Sequence, residues 1–255
     1  MSTPNFRFKQ FTVWHDRCAM KVGTDGVLLG AWAPANPFTP NPLTRILDIG
    51  TGSGLIALML AQRFPEASID AIDIDKAAVE QARENFAVSP WPDRIHAYQA
   101  KVQEWQMVNG TCPNGKWYDL IVSNPPYFQN SLKNPDKGRQ TARHTDTLSY
   151  AELLRHSARL LAEKGLLALV LPAEAEQEVR GLAAAELLSL ARITRVYSKE
   201  SKPARRVLLG FEKSISRDTD ISITEDSLVL ENEIGGRSAA YQELTKDFYL
   251  FISLR

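Results

Sequence analysis

From Arg45 onward, short aliphatic and β-branched runs alternate with segments whose apolar positions recur every three to four residues. Strand patterns that are apolar on both faces, separated by helical patterns, mark a parallel sheet covered by helices on both sides. Arg45 to Ile49 predicts a first strand and Leu55 to Arg63 a helix. Ser68 to Ile74 predicts a second strand. Lys76 to Val88 predicts a helix with Ala78, Val79, Ala82 and Phe86 on one face. Ile95 to Gln99 is a weaker third strand and Tyr118 to Ser123 a fourth.

A long polar connection follows, from Phe128 to about Thr147, and loops of that length inside a compact domain are usually functional or disordered. Ser149 and Glu152 have the spacing of a capping box, which predicts a helix ending near Lys164-Gly165. Leu166 to Leu171 is a fifth strand, fully apolar, and Pro172 opens a helix expected to reach about Ala191. Ile193 to Tyr197 and Val207 to Glu212 are two strands whose short spacer fits an antiparallel hairpin better than a crossover. The tail adds a short strand pattern and an amphipathic segment around Tyr241 to Ile252. The aromatic stretch Phe6 to Trp14 suits a packing strand or lid better than a base-stacking surface.

The chain has 255 residues, enough for one sizeable core. We expect one domain over 1–255, with a core at 45–212, an N-terminal extension (1–44) at the cofactor and substrate cleft, and a C-terminal extension (213–255). Thirty basic residues balance thirty acidic ones, so attraction to a polyanion has to come from local patches. No apolar stretch approaches the roughly 18 residues of a membrane span, and the N-terminus lacks an apolar signal core, so a cytoplasmic protein is expected. Cys18 and Cys112 alone make neither a zinc ligand set nor a disulfide framework, and no metal is expected.

Asp48-Ile49-Gly50-Thr51-Gly52-Ser53-Gly54 lies between the first strand and its helix, where glycines permit a tight turn and let a ligand lie on bare backbone. Asp73 ends the next strand, where its carboxylate can accept from both hydroxyls of a ribose. The spacing is G-x-G-x-G, not the dinucleotide G-x-G-x-x-G, and an acid two residues before the first glycine opposes a diphosphate but suits a cation. The favoured ligand is a cationic nucleoside, which S-adenosylmethionine is.

Asn124-Pro125-Pro126-Tyr127 follows the fourth strand. Two prolines end the ladder, and the first biases Asn124 toward an extended conformation. The Asn124 side-chain oxygen and the Pro125 carbonyl then offer two acceptors to one NH₂ group, while Tyr127 can stack on the ring that carries it.

These motifs resemble those of class I S-adenosylmethionine-dependent methyltransferases that modify exocyclic nitrogens. The segments Phe8 to Phe11, His15 to Gly26, Ser89-Pro90-Trp91 and Arg206 to Leu209 resemble, more narrowly, the bacterial tRNA1(Val) adenosine N6-methyltransferase family. The resemblance implies a three-layer, Rossmann-like α/β fold with a seven-stranded, mostly parallel sheet and one antiparallel strand. It implies cofactor contacts at Asp48, Gly50, Thr51, Gly52, Gly54, Asp73 and Asn124, with Thr24 and Asp25 near the methionine end. Lys101 stands where such enzymes often carry an acid near the cofactor adenine, so that contact is not assigned to a side chain.

The implied reaction is direct in-line methylation of N6 on adenosine 37, next to the anticodon, by a monomer that grips the tRNA anticodon stem-loop. Candidate phosphate anchors are Lys133, Lys137, Arg139 and Arg143 in the long loop, and Lys199, Lys202, Arg205 and Arg206 between the last two strands. The Asn-Pro-Pro-Tyr motif alone fits other amino or amide nitrogens as well, in ribosomal RNA, DNA or a protein glutamine. A noncatalytic RNA-binding protein on the same fold and a nucleotide-dependent oxidoreductase are the readings from other classes.

Overall fold

The structure, a computed structural model, describes residues 4–33, 43–105, 118–126, 148–214 and 222–250. Its framework is an eight-stranded sheet. In spatial order the strands are β10 (Thr224–Val229), β8 (Leu188–Tyr197), β9 (Ala204–Lys213), β7 (Leu161–Pro172), β6 (Tyr118–Ser123), β3 (Arg45–Ile49), β4 (Ser68–Asp73) and β5 (Ile95–Gln99). Every neighbouring pair is parallel except the two that include β9, which runs against both β7 and β8. The expected antiparallel hairpin is thus present. The tail strand β10 adds an eighth strand to the expected seven by pairing with β8, Thr224 opposite Arg192 and Val229 opposite Tyr197.

The period of two along each strand divides the core. Leu166, Ala168 and Val170 of β7 face one layer, together with α1 (Thr24–Trp32), α2 (Leu55–Arg63), part of α3 (Lys76–Ala87) and Tyr241 of α6 (Ala239–Thr245). Leu167, Leu169 and Leu171 face the other, under α4 (Tyr150–Leu160) and α5 (Glu176–Ala185). The result is three layers. Helix α1 was not expected, because residues 26–32 are buried all round and give no amphipathic stripe. It lies so close to α2 that a Cβ on Gly30 would collide with Met59.

Two boundaries differ from expectation. The capping box is present, with Ser149 Oγ accepting from Glu152 N and the Glu152 carboxylate accepting from Ser149 N. The helix it opens stops at Leu160, however, because Leu161 already pairs with Tyr118; residues 162–165 bulge out before Leu166 meets Leu120. The helix after Pro172 begins as a 3-10 turn, Ala173–Ala175, and α5 ends at Ala185. Leu187 is left-handed there (φ 58), and pairing with β9 claims the residues from Leu188 onward, overriding the helix propensity of the alanines.

The N-terminal strands β1 (Asn5–Arg7) and β2 (Thr12–Trp14) form a separate antiparallel hairpin. Phe8, Phe11 and Val13 are buried, and Phe8 stacks on Phe11 and on Tyr249. Packing is therefore the role of this stretch, and it ties the N-terminal extension to the C-terminal one.

Candidate active site

The loop after β3 takes its shape from three glycines in the left-handed region, Gly50 (φ 73), Gly52 (φ 54) and Gly54 (φ 82). Gly50 and Thr51 both donate their N–H to the Ile72 carbonyl, at 2.9 and 3.0 Å, and Gly52 N donates to Asp73 Oδ2 at 2.9 Å. The first βα turn is in this way tied to the end of β4. A Cβ on Gly50 or Gly52 would meet nothing within 4 Å, so bare backbone faces open space. Gly54 differs: a Cβ there would press into the Phe86 ring, making it a packing glycine.

Asp48 is fully buried beneath this loop, where Oδ2 accepts from Thr51 Oγ1 at 2.7 Å and Oδ1 has no hydrogen-bond partner among the described residues. Burial pushes its carboxyl up to about 7, and Asp73 adds to the rise, against the opposing pull of the Thr51 hydroxyl and the Ala57 N–H. A nearby cation would favour its ionised form.

β6 ends in Ser123, whose hydroxyl donates to the Ile49 carbonyl at 2.8 Å and locks β6 to β3. Asn124 follows at the mouth. Its Nδ2 donates to Met20 Sδ at 3.7 Å, and its buried Oδ1 has no partner among the described residues. Pro125 is buried and Pro126 exposed.

All of this opens into one cleft of about 1090 Å³ at the C-terminal ends of the parallel strands. That is where open α/β sheets bind ligands. Thr24, Asp25, Gly50, Thr51, Gly52, Asp73, Asn124, Pro125, Pro126 and Arg206 all border it. Asp48 and Gly54 do not border it and lie beneath or behind the loop. Arg205 and Arg206 are part of β9 and not of the connection before it, and Arg206 Nε donates to Asp25 Oδ2 at 2.9 Å. Lys202 and Arg205 lie exposed outside the cleft, and Lys199 is 3.8 Å from Glu231. Tyr127, Lys133, Lys137, Arg139 and Arg143 lie outside the described residues.

The segment between β2 and α1 forms one wall, contributing Cys18, Met20 and Lys21. Fully buried Asn85 on α3 holds it in place. Its Oδ1 accepts from Trp14 N at 2.9 Å, and its Nδ2 donates to the carbonyls of Trp14 and Ser53, each at 2.8 Å. Arg17 adds an ion pair to Glu84. Burial, with Asp73 and Asp75, pushes the Cys18 thiol up to about 11, so it is no nucleophile near neutrality.

Several lining residues carried no functional signal in the sequence. Ser149 and Glu152 were visible only as a helix cap, and Gln103, which donates to Glu152 Oε1 at 3.4 Å, had none. Met20 fell within the stretch that carried the family resemblance, but nothing there pointed to Asn124.

The cleft suits a cationic nucleoside. Glycines leave room against backbone, and the Asp73 carboxylate, already accepting from Gly52 and Asp75 N–H groups, has acceptor capacity left for hydroxyls. The buried Asp48 carboxylate gains from a positive charge. Among the described residues no group of three or more His, Cys, Asp or Glu could hold a metal ion.

Comparison with known proteins agrees with this geometry. The methyltransferase small domain family matches residues 35–185. A tRNA1(Val) (adenine(37)-N6)-methyltransferase of Parabacteroides distasonis is 50% identical over 251 residues, covering 98% of this chain and 99% of that protein. A protein of the same name from Pectobacterium carotovorum is 45% identical, over 97% of this chain and 94% of the relative. Among solved structures, a predicted O-methyltransferase from Agrobacterium tumefaciens superposes with a TM-score of 0.66 at 17% identity, covering 91% of this chain and all of that one, a likeness of fold. A methyltransferase subunit of a type I restriction-modification system from Streptococcus thermophilus gives 0.54, at 17% identity, over 86% of this chain and 48% of that one. On near full-length relatives at 45 to 50% identity, the chain belongs to the tRNA1(Val) (adenine(37)-N6)-methyltransferase family, within the methyltransferase small domain family of the class I fold.

Proposed function

We propose that this protein methylates the exocyclic N6 of adenosine 37 in tRNA1(Val), with S-adenosylmethionine as donor. The observation that carries the reaction type is the position of Asn124. It stands at the end of β6 on the border of the same cleft as the glycine loop and Asp73, and its amide oxygen, buried as the side chain is turned here, has no hydrogen-bond partner among the described residues. The choice of nucleotide rests on the near full-length likeness to enzymes of that name.

An adenine amino nitrogen is a weak nucleophile because its lone pair is delocalised into the ring. Asn124 Oδ1 and the Pro125 carbonyl accept its two hydrogens, favour pyramidal geometry and stabilise the positive charge that grows on nitrogen. Gly50, Thr51, Gly52 and Asp73 hold the cofactor, and Asp48 balances its charge from below. When bound, S-adenosylmethionine supplies an electrophilic methyl group and leaves as S-adenosylhomocysteine. The main task of the protein is alignment, which can contribute about 7 to 11 kcal/mol in favourable cases.

From its position directly after Pro126, Tyr127 is assigned to stack on the target base, an interaction worth on the order of 1 to 3 kcal/mol. The base is presented from the anticodon stem-loop, where an unpaired adenosine can be splayed out at little expense. The basic residues Lys133, Lys137, Arg139 and Arg143, together with Lys199 and the exposed Lys202 and Arg205, are assigned to the RNA backbone. We take a monomer acting in the cytoplasm as the functional unit.

The test is methylation of a total tRNA pool from a strain lacking this protein, with labelled S-adenosylmethionine and mapping of the labelled nucleoside. Label in N6-methyladenosine at position 37 of tRNA1(Val) supports the reading. Label on another nucleoside, or no label in the tRNA pool, refutes it.

A further inference from the structure

Along the rim of the sheet the chemical groups fall in strand order. Arg206 stands on β9 opposite Pro172 at the end of β7; next come Asn124 after β6, the glycine loop after β3 and Asp73 at the end of β4. Asn124 therefore separates the strand ends built for the cofactor from a second side bordered by Arg206. The strand of Arg206 lies two places from that of Asn124, about 10 Å at the usual spacing between strands. That separation is on the scale of the reach from the amino edge of a purine nucleoside to its own phosphate.

The Arg206 side chain borders the cleft and is 31% exposed. Its Nε donates to Asp25 Oδ2 at 2.9 Å, and its Nη1 donates to the Arg205 carbonyl at 2.9 Å. Asp25 lies in the first turn of α1, whose residues 26–32 are all buried, so the carboxylate is mounted on a rigid element. Two bonds to fixed acceptors set the plane of the guanidinium. A planar fork held in one orientation suits the tetrahedral oxygens of a phosphate better than a freely rotating ammonium does. A nucleotide turned out of its stack has lost its neighbours' hold, and contacts to its phosphate are what fix its register.

Resting on the reading that an RNA adenosine is the acceptor, we propose that Arg206 binds the backbone phosphate next to the target adenosine, and that Asp25 is the positioning residue that aims it. This gives Asp25 a role through its bond to Arg206 on β9, beside the place near the methionine end that the family resemblance implies for it. It also separates Arg206 from Lys199, Lys202 and Arg205, its neighbours in sequence, which lie outside the cleft.

The experiment measures binding of an anticodon stem-loop across a salt series, and single-turnover transfer at saturating RNA, for wild type, R206A, R206K, D25A and R206A/D25A. Lys246→Ala, at the residue that caps α6, is the control for loss of one charge. Cofactor affinity is read separately by calorimetry. R206A should weaken RNA binding about tenfold or more and lower the salt slope by about 0.7 to 0.9, one phosphate contact, with cofactor affinity changed by less than about twofold. R206K should recover the slope but only part of the affinity. D25A should slow transfer about tenfold through misplacement of the base, and should have no further effect in the R206A background.

An unchanged salt slope in R206A overturns the proposal. So does a tenfold loss of S-adenosylmethionine affinity with RNA binding intact, which would assign Arg206 to the carboxylate of the cofactor. A D25A effect that persists in R206A removes the positioning role. If wild type methylates no tRNA, the functional reading itself fails; wild-type turnover with an unaltered R206A slope defeats only the present proposal.

Discussion

Asp48→Asn isolates the energetic role of a buried charge in this fold. Burial raises the Asp48 carboxyl from an ordinary 3.8 to about 7. Because the folded-state value lies above the unfolded one, the native protein holds the proton more tightly, and ionisation of Asp48 opposes folding as pH climbs from about 4 to 7. Well above 7 the penalty is complete; three units at 1.36 kcal/mol each make it about 4 kcal/mol. Roughly half of that, about 2 kcal/mol, accrues between pH 5.5 and about pH 8.5.

Asparagine keeps the shape and an acceptor for Thr51 but cannot ionise. In cofactor-free protein the stability of D48N relative to wild type should therefore increase by about 2 kcal/mol from about pH 5.5 to about pH 8.5. Any fixed difference in hydrogen bonding cancels in that comparison. Urea unfolding of both proteins at both pH values, extrapolated to water, measures it. A stability difference that is the same at the two pH values would refute the argument that Asp48 sits in a desolvated pocket with a raised pKa.

Three further outcomes follow from the same geometry. Wild-type affinity for S-adenosylmethionine should rise between about pH 6 and 8 as Asp48 loses its proton, and calorimetry should find no such rise in D48N. Gly54→Ala must accept both a left-handed φ and contact with Phe86, whereas Gly52→Ala meets only the φ strain of about 1 to 2 kcal/mol. G54A should then be the less stable in thermal melts and G52A the weaker cofactor binder, and the reverse order would contradict the assignment of the two glycines. Asn85→Ala strands buried groups of Trp14 and Ser53, so it should lose about 2 to 4 kcal/mol and expose the N-terminal hairpin to protease; a neutral effect would show that the hairpin is held elsewhere.

What could be read in the sequence was what depends on local pattern. The strands from Arg45 to Ser123, the capping box at Ser149 and the β8–β9 hairpin follow from period, propensity and spacing, and all three are present. Helix α1 was not legible, because a segment buried on every side has no polar face to set the phase. The early ends of α4 and α5 were set by strand partners distant in the chain, Tyr118 for Leu161 and Lys213 for Leu188. At the site, the glycine loop and Asn124 declared themselves through motif and context. That Asp48 lies wholly under Thr51, that Gly54 serves Phe86, and that Asp25 and Arg206 meet across 181 residues depend on tertiary packing and had no local signature.

The most direct test of the account is single-turnover methyl transfer to an unmodified tRNA1(Val) transcript by wild type and by Asn124→Ala, with cofactor affinity measured in parallel. Loss of an acceptor for the charge that develops on N6 predicts a rate lower by about 10² to 10³ and cofactor affinity within about twofold of wild type. An undiminished rate, or equal losses of rate and of cofactor binding, would contradict the claim that this amide acts on the target nitrogen.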